Sequence, residues 1–259
     1  MRQPVHAISA ALLAACGAAV TAIPAHAAMR CEARSGPMAM PLVELYTSEG
    51  CSSCPPADRW LANRIRGDGD GANWLAFHVD YWNELGWPDR FSSAAFTRRQ
   101  ERRVAGVGST TVYTPQVMVG SQVQVRWNDS AAFAQALAQA RGPAGAALVL
   151  RVVRADDGAH AYVAGMRAHE AKAGSARLWL AQSVDGQETR VKAGENGGLI
   201  LRHERVVRQL WGPWRLDDVA VAQRVPLSLD ATDWSLTAFV QTDDGSVLQS
   251  LRVSASDCR

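Results

Sequence analysis

Apolar and polar positions follow two different rhythms along this chain, and the change falls near residues 142–145 (GPAG). Ahead of that point, short apolar runs alternate with stretches of helical period. Residues 41–47 (PLVELYT) and 74–79 (WLAFHV) read as buried strands. Between them, residues 57–66 bring Trp60, Leu61 and Ile65 to one side of a helix. Pro55 and Pro56 suit its first turn, where a missing N–H costs nothing. Ser93 is placed to cap a helix through AAFTRRQERRVAG, which Gly106 ends. Residues 116–119 and 122–127 flank Gly120-Ser121, a hairpin signal. Ser130 then opens an amphipathic helix that Gly142 stops.

Beyond residue 145 the period is mostly that of strands. ALVLRVVRA and AHAYVAGMRA are separated by Asp156-Asp157-Gly158. WSLTAFVQT and SVLQSLRVSA are separated by Asp243-Asp244-Gly245 in the same way. Residues 176–183 and 198–207 add further strands, and GENGG at 194–198 reads as a flexible loop. Short strands with regular turns point to a β-sandwich. The expected fold class is therefore an α/β layered domain with an inserted helix, followed by a mostly-β, sandwich-like domain.

The first residues change where the chain is expected to act. Arg2 precedes the small, apolar run 7–20, and Ala25-His26-Ala27 supplies a small-x-small cleavage pattern. The expected organisation is a signal peptide over 1–27, a first domain over 28–142 and a β-rich domain over 146–259. The alternative Leu13-Ala14-Ala15-Cys16 lipobox would leave a lipid-anchored Cys16. Either way the chain is exported, to the periplasm or the medium, and nothing else approaches the ~20 apolar residues of a membrane span. Charge adds little: 27 basic residues, less Arg2, leave 26 against 25 acidic. Neither nucleic acid nor an anionic membrane is called for as partner, and oligomeric state is left open.

Export gives the cysteines a meaning. The mature chain keeps Cys31, Cys51, Cys54 and Cys258, an even number suited to disulfides in an oxidising compartment. Cys51 with Cys54 and Cys31 with Cys258 is the simplest pairing, and two others stay open. SEGCSSCPPAD sets Cys51 and Cys54 at a helix start, where unpaired N–H groups and the helix dipole favour a thiolate. Cys51 is then the candidate nucleophile and Cys54 the residue that resolves a mixed disulfide. Glu49 opposes this with its negative charge. Asp58 shares the helix face of Cys54 and is a candidate proton relay, or simply a first-turn acid favoured by the dipole.

VELYTSEGCSSCPPAD, AFHVDYWNELGWPD and VYTPQVMV, in that order, closely resemble an exported thioredoxin-like bacterial family of unknown function. The resemblance runs in detail from about residue 41 to 140. It implies a thioredoxin-like first domain, a redox-active pair, and a cis Thr114-Pro115 bond beside it that binds substrate backbone. It also implies a carboxylate near the pair, for which Glu44 stands one residue out of step. Trp82, Trp87 and Phe91 then belong to an insert, as a lid or as packing. His78 and Asp80 end the second strand, and RRQERR at 98–103 makes a basic helix face.

Three functions compete. The first is thiol–disulfide exchange with a protein or small thiol or disulfide substrate, needing no cofactor. The second is an interaction protein whose CxxC bridge is structural and whose Trp211 and Trp214 anchor a partner. The third is Cu(I) binding by the two thiols with Met38, Met40, Met118 or His78; against it, no such residues stand at ligand spacing around CSSC, and no metal site is assigned.

Overall fold

The computed structural model describes residues 30–67, 69–155, 158–168, 175–216, 220–229 and 232–258. The leader, Cys16 and the Asp156-Asp157 turn lie outside them. The first strands are β1 (Arg30–Arg34), whose exposed and buried positions largely alternate, and β2 (Leu42–Thr47), which is buried throughout. Helix α1 (Pro55–Arg66), β3 (Asn73–His78), α2 (Ala94–Gly106), β4 (Gln116–Val119) and α3 (Ser130–Ala140) follow. Ser93 caps α2 by accepting from Ala95 N, and Asp129 caps α3 by accepting from Ala131 N and Ala132 N, so each helix begins where a side-chain acceptor meets its free N–H groups.

The remainder is strand: β5 (Ala146–Ala155), β6 (Gly158–Arg167), β7 (Ala176–Val184), β8 (Gln187–Arg190) and β9 (Ile200–His203). β10 (Val206–Leu216), β11 (Val221–Leu227), β12 (Trp234–Thr242) and β13 (Val247–Ser254) complete the chain.

The expected fold class requires correction. The protein is mostly β, with three α-helices among the described residues. It does not form an α/β thioredoxin-like layer followed by a separate sandwich. Strands β2, β3 and β4 are built into one mixed seven-stranded sheet, ordered β13-β12-β7-β10-β3-β2-β4. The join is at the outer edge of β3, where Ala76 N donates to Arg205 O and Val206 lies parallel to Ala76. An edge strand carries unpaired N–H and C=O groups, and β10 satisfies those of β3. Periodicity describes one strand at a time, so it does not reveal which edge pairs with which.

The sheet is covered differently at its two ends. Val43 and Leu45 face α1 and α3, in a core with Leu61, Trp74, Phe133 and Leu137. Trp60, Trp74 and Phe133 meet edge-on or tilted with centroids 4.9–5.7 Å apart. Tyr46 points to the other face, with Phe77, Phe96, Trp179 and Phe239 under α2. A second, antiparallel sheet, β1-β5-β6-β11, packs on β7, β12 and β13 around Leu148, Leu150, Leu178, Leu236 and Val240. Residues 122–127 form no strand: of that hairpin there remain the Val119–Gln122 bridge and one hydrogen bond from Val125 N to Val117 O at 3.0 Å. The run 198–207 splits into β9 and the start of β10 at Arg205, whose φ is +55°.

Candidate functional site

Beyond the end of β2 the chain turns through residues 48–50 into a Cys51–Cys54 disulfide, with Cα atoms 5.4 Å apart. Cys54 is the N-cap of α1, and its N–H donates to Cys51 O at 3.1 Å. Pro55 and Pro56 fill the first helical positions, fixing the helix start but removing two N–H donors a thiolate would have used. Both cysteines are fully buried, while Ser52 and Ser53 between them are exposed. Ser53 Oγ lies 3.4 Å from Cys51 Sγ and 3.5 Å from Thr114 O. The Thr114–Pro115 peptide is cis, and Trp82 Nε1 donates to Thr114 Oγ1 at 2.8 Å. Cys51, Cys54, Thr114 and Pro115 thus stand together.

Behind the disulfide lies a buried cluster of carboxylates and imidazoles. Thr47 Oγ1 donates to Asp58 Oδ1 at 2.9 Å. His203, from β9, sits between two acids: Nε2 is 3.4 Å from Glu49 Oε1 and Nδ1 is 3.6 Å from Asp58 Oδ2. These are ion-pair distances, and the atoms concerned make no hydrogen bond. The His203 ring meets the edge of His78 at 4.8 Å. His78 Nδ1 in turn pairs with Asp89 Oδ2 at 2.6 Å.

Environment divides these groups. Burial pushes the Asp58 carboxyl upward, and nearby imidazoles only partly offset it. Burial also works against charge on Asp89, but His78 and the N–H groups of Glu49 and Phe91 hold it down to about 2. For His78, burial disfavours the cation, yet Asp89 raises it above the ordinary imidazole value. Burial acts against Glu49 as well; the adjacent His203 imidazole and the hydrogen bond from Trp87 outweigh it and leave the carboxyl lowered. Asp58 is therefore the acid most ready to hold a proton near the cysteines.

The second half of the chain closes the site. Glu195 Oε2 accepts from Ser52 N at 3.0 Å. Asn196 Nδ2 donates to Glu49 O at 2.8 Å and Cys51 O at 3.0 Å. The glycine-rich loop, read from sequence as flexible, is thus pinned across the disulfide. Gly194, at φ +71°, makes that approach: a Cβ there would lie 3.2 Å from Trp87 Cβ. A cavity of about 570 Å³ between α1 and the β8–β9 hairpin reaches Asp58, with Arg59, Arg66, Glu188 and Arg202 on its walls.

Other sequence candidates lie apart from this cluster. Glu44 projects to the opposite face of the sheet, where Oε1 accepts from Arg99 Nη2 at 2.8 Å and Arg103 Nη1 at 2.9 Å. Cys31 and Cys258 form the second disulfide, buried in the core between the two sheets. Met118 is in the apolar core under α2, while Met38 and Met40 are exposed beside Gln249. Trp211 and Trp214 pack partly buried on the inter-sheet core. Among the insert aromatics, Trp87 Nε1 donates to Glu49 Oε2 at 2.8 Å and Phe91 packs on both imidazoles. Sequence reasoning missed His203, Glu195, Asn196 and the pairing of Asp89. Polar residues inside a glycine-rich loop were the only signal, and nothing in the sequence tied that loop to CSSC.

Fold and site together define a mostly-β protein with a CxxC disulfide buried at a helix start beside a cluster of imidazoles and carboxylates. The chain belongs to a family of proteins of unknown function, DUF1223, whose sequence model matches residues 42–241. Two solved structures resemble it. One is an Agrobacterium tumefaciens protein determined crystallographically as a structural-genomics target, 24% identical, covering 83% of this chain and 94% of that one with a TM-score of 0.62. The other is HBP35 of Porphyromonas gingivalis, 15% identical, covering 85% of this chain and 76% of that one with a TM-score of 0.61. At these identities the likeness is one of fold. No curated protein matches the sequence.

Proposed function

We propose that this is an exported thiol–disulfide exchange protein, cleaved after Ala27, in which residues 28–142 carry the exchanging pair and 146–259 the cover over it. The observation that carries the reading is a CxxC disulfide at a helix start with a protonatable buried acid, Asp58, one turn further on. In the reduced state the Cys51 thiolate attacks a sulfur of a substrate disulfide and expels one substrate thiolate. Cys54 passes its proton to the Asp58 carboxylate and attacks Cys51 Sγ. The Cys51–Cys54 disulfide forms, the second substrate thiolate leaves, and two electrons have moved from protein to substrate. Run backwards, the same steps oxidise a dithiol. Thr114 and Pro115 border the substrate sulfur, and approach requires the Glu195 and Asn196 tethers to open.

Cys54→Ser is expected to accumulate a mixed disulfide on Cys51 with substrate thiols, seen by non-reducing mass analysis, while wild type accumulates none. Asp58→Asn is expected to slow the resolving step by ~10²–10⁴-fold, the usual range for a lost general base, and to remove the acid limb from its pH–rate profile. A slowed rate with an unchanged profile would reduce Asp58 to a structural role.

The complete burial of both sulfurs favours a second reading, in which the bridge only rigidifies the loop and the protein acts by binding a partner. A redox titration in glutathione buffers separates the two. Interconversion of Cys51 and Cys54 with the fold intact supports exchange; a bridge that stays oxidised until the protein unfolds supports the structural role.

A further inference from the structure

The RRQERR helix face divides into a buried half and an exposed half. Arg99 and Arg103 are consumed by Glu44. Arg98 and Arg102 are exposed, and among the described residues neither forms an ion pair, although the Glu101 charge acts on Arg102. They lie on the wall of a cavity of about 550 Å³, which Arg90 and Arg208 line from the far side and which Phe91 and Trp179 help to floor. Among the described residues, no Asp or Glu lines it. Asp89, whose charge acts on Arg208, is paired with His78.

Two of the four cationic groups, Arg90 and Arg208, are held by contacts with the protein. Arg90 donates from Nη2 to Glu188 O at 2.9 Å and from Nε to Thr189 Oγ1 at 3.2 Å. The guanidinium groups of Arg90 and Arg208 sit over Phe91 at 4.4 and 5.0 Å from its centroid. Gathering four like charges with only Glu101 and the already paired Asp89 to offset them opposes folding. Burial and the neighbouring Arg90 charge lower the Arg208 guanidinium, and burial with Arg99 and Arg98 lowers that of Arg102. An anion relieves this repulsion, and guanidinium groups match phosphate, sulfate and carboxylate oxygens in pairs.

We propose that this cavity binds a small organic oxyanion, with an apolar body against Trp179 and Leu210 and phosphate, sulfate or carboxylate oxygens held by Arg90, Arg98, Arg102 and Arg208. The volume is in the range of small-molecule sites, and the combination of aromatic floor and arginine rim fits neither a bare inorganic ion nor a neutral ligand. Its inner wall, Phe91, also contacts His78 and His203 at 5.3 and 5.8 Å between centroids, so an occupant rests one side chain from the buried imidazoles. The proposal holds whether or not the disulfide turns over.

The test is calorimetric titration of the mature protein with phenyl phosphate at low ionic strength, with inorganic phosphate as comparison. Saturable binding of phenyl phosphate, tighter than inorganic phosphate, is expected. Arg208→Ala and Arg98→Ala are each expected to weaken it by about tenfold, the equivalent of one lost charge-assisted contact, while Arg126→Gln, on a distant surface, leaves it unchanged. Thermal melts check that all variants fold. Absence of saturable binding overturns the proposal, and so does binding that survives unaltered in both cavity variants.

Discussion

Replacing Glu44 with Gln is expected to lower the unfolding free energy by about 3–5 kcal/mol, the usual cost of removing one partner from a buried ion pair. The expectation rests on what the carboxylate holds. Arg99 meets it bidentately, through Nε at 3.1 Å and Nη2 at 2.8 Å, while Arg103 and the Tyr46 hydroxyl supply the remaining contacts at 2.9 and 2.7 Å. Arg99 also donates to Gln241 Oε1 on β12 and lies over Phe77, Trp179 and Phe239. Without Glu44 two guanidinium groups remain in an apolar layer with no anion beside them.

The same group gives a pH signature of definite sign. Burial alone would raise the Glu44 carboxyl, but Arg103 and Arg99 hold it at about 2, against 4.5 for the unperturbed group. A depressed carboxyl stabilises the fold above the unfolded-state value, and that contribution is lost as pH falls from 4.5 through about 2. From the linkage relation the gap between wild type and Glu44→Gln narrows by about 2 kcal/mol between roughly pH 7 and pH 3. Urea denaturation at both pH values measures it. A gap that does not change would mean that the ion cluster contributes packing rather than charge.

Converting Cys31 and Cys258 together to Ser is expected to cost about 5 kcal/mol under oxidising conditions, the loop-entropy value for so long a closure. The bridge spans a sequence separation of 227, while Cys51–Cys54 spans 3. On the same relation, losing the short bridge costs no more than about 2 kcal/mol. Cys31 lies on β1, which pairs with β5, and Cys258 follows β13 of the other sheet, so the long bridge ties the two sheets together across their shared core. Non-reducing denaturation of the two double-Ser variants compares them directly. Equal losses would show that loop length is not what sets the contribution.

Much of the local structure was legible because each element carried its own signal. The apolar runs at 41–47 and 74–79, the helix capped by Ser93, the helix opened at Ser130, and the Asp243-Asp244-Gly245 turn all formed close to where pattern placed them, with Asp129 as the cap of the last helix. The glycine-flanked hairpin at 120–127 did not, since its second arm, through Val125, packs under α3 rather than extending a sheet. The basic helix face was half misread: period shows that Arg98, Arg99, Arg102 and Arg103 share a side, but not that Glu44 waits inside the sheet for two of them.

The candidate site divides along the same line. Cys51, Cys54, Asp58, Thr114 and Pro115 come from segments whose composition announces chemistry or a turn, so they were nameable from the sequence. His203, Glu195 and Asn196 come from a hairpin and loop some 150 residues away, brought over the disulfide by β10 pairing with β3. By itself the sequence determined the strands on either side of the cysteine loop, the helices, and the cysteine pair at a helix start, because those depend on neighbours within a few positions. Only the tertiary structure decided that both halves share one sheet, that Glu44 is an ion-cluster anion, and that an imidazole lies between Glu49 and Asp58. Those outcomes depend on edge pairing and burial between distant segments, for which local pattern carries no term.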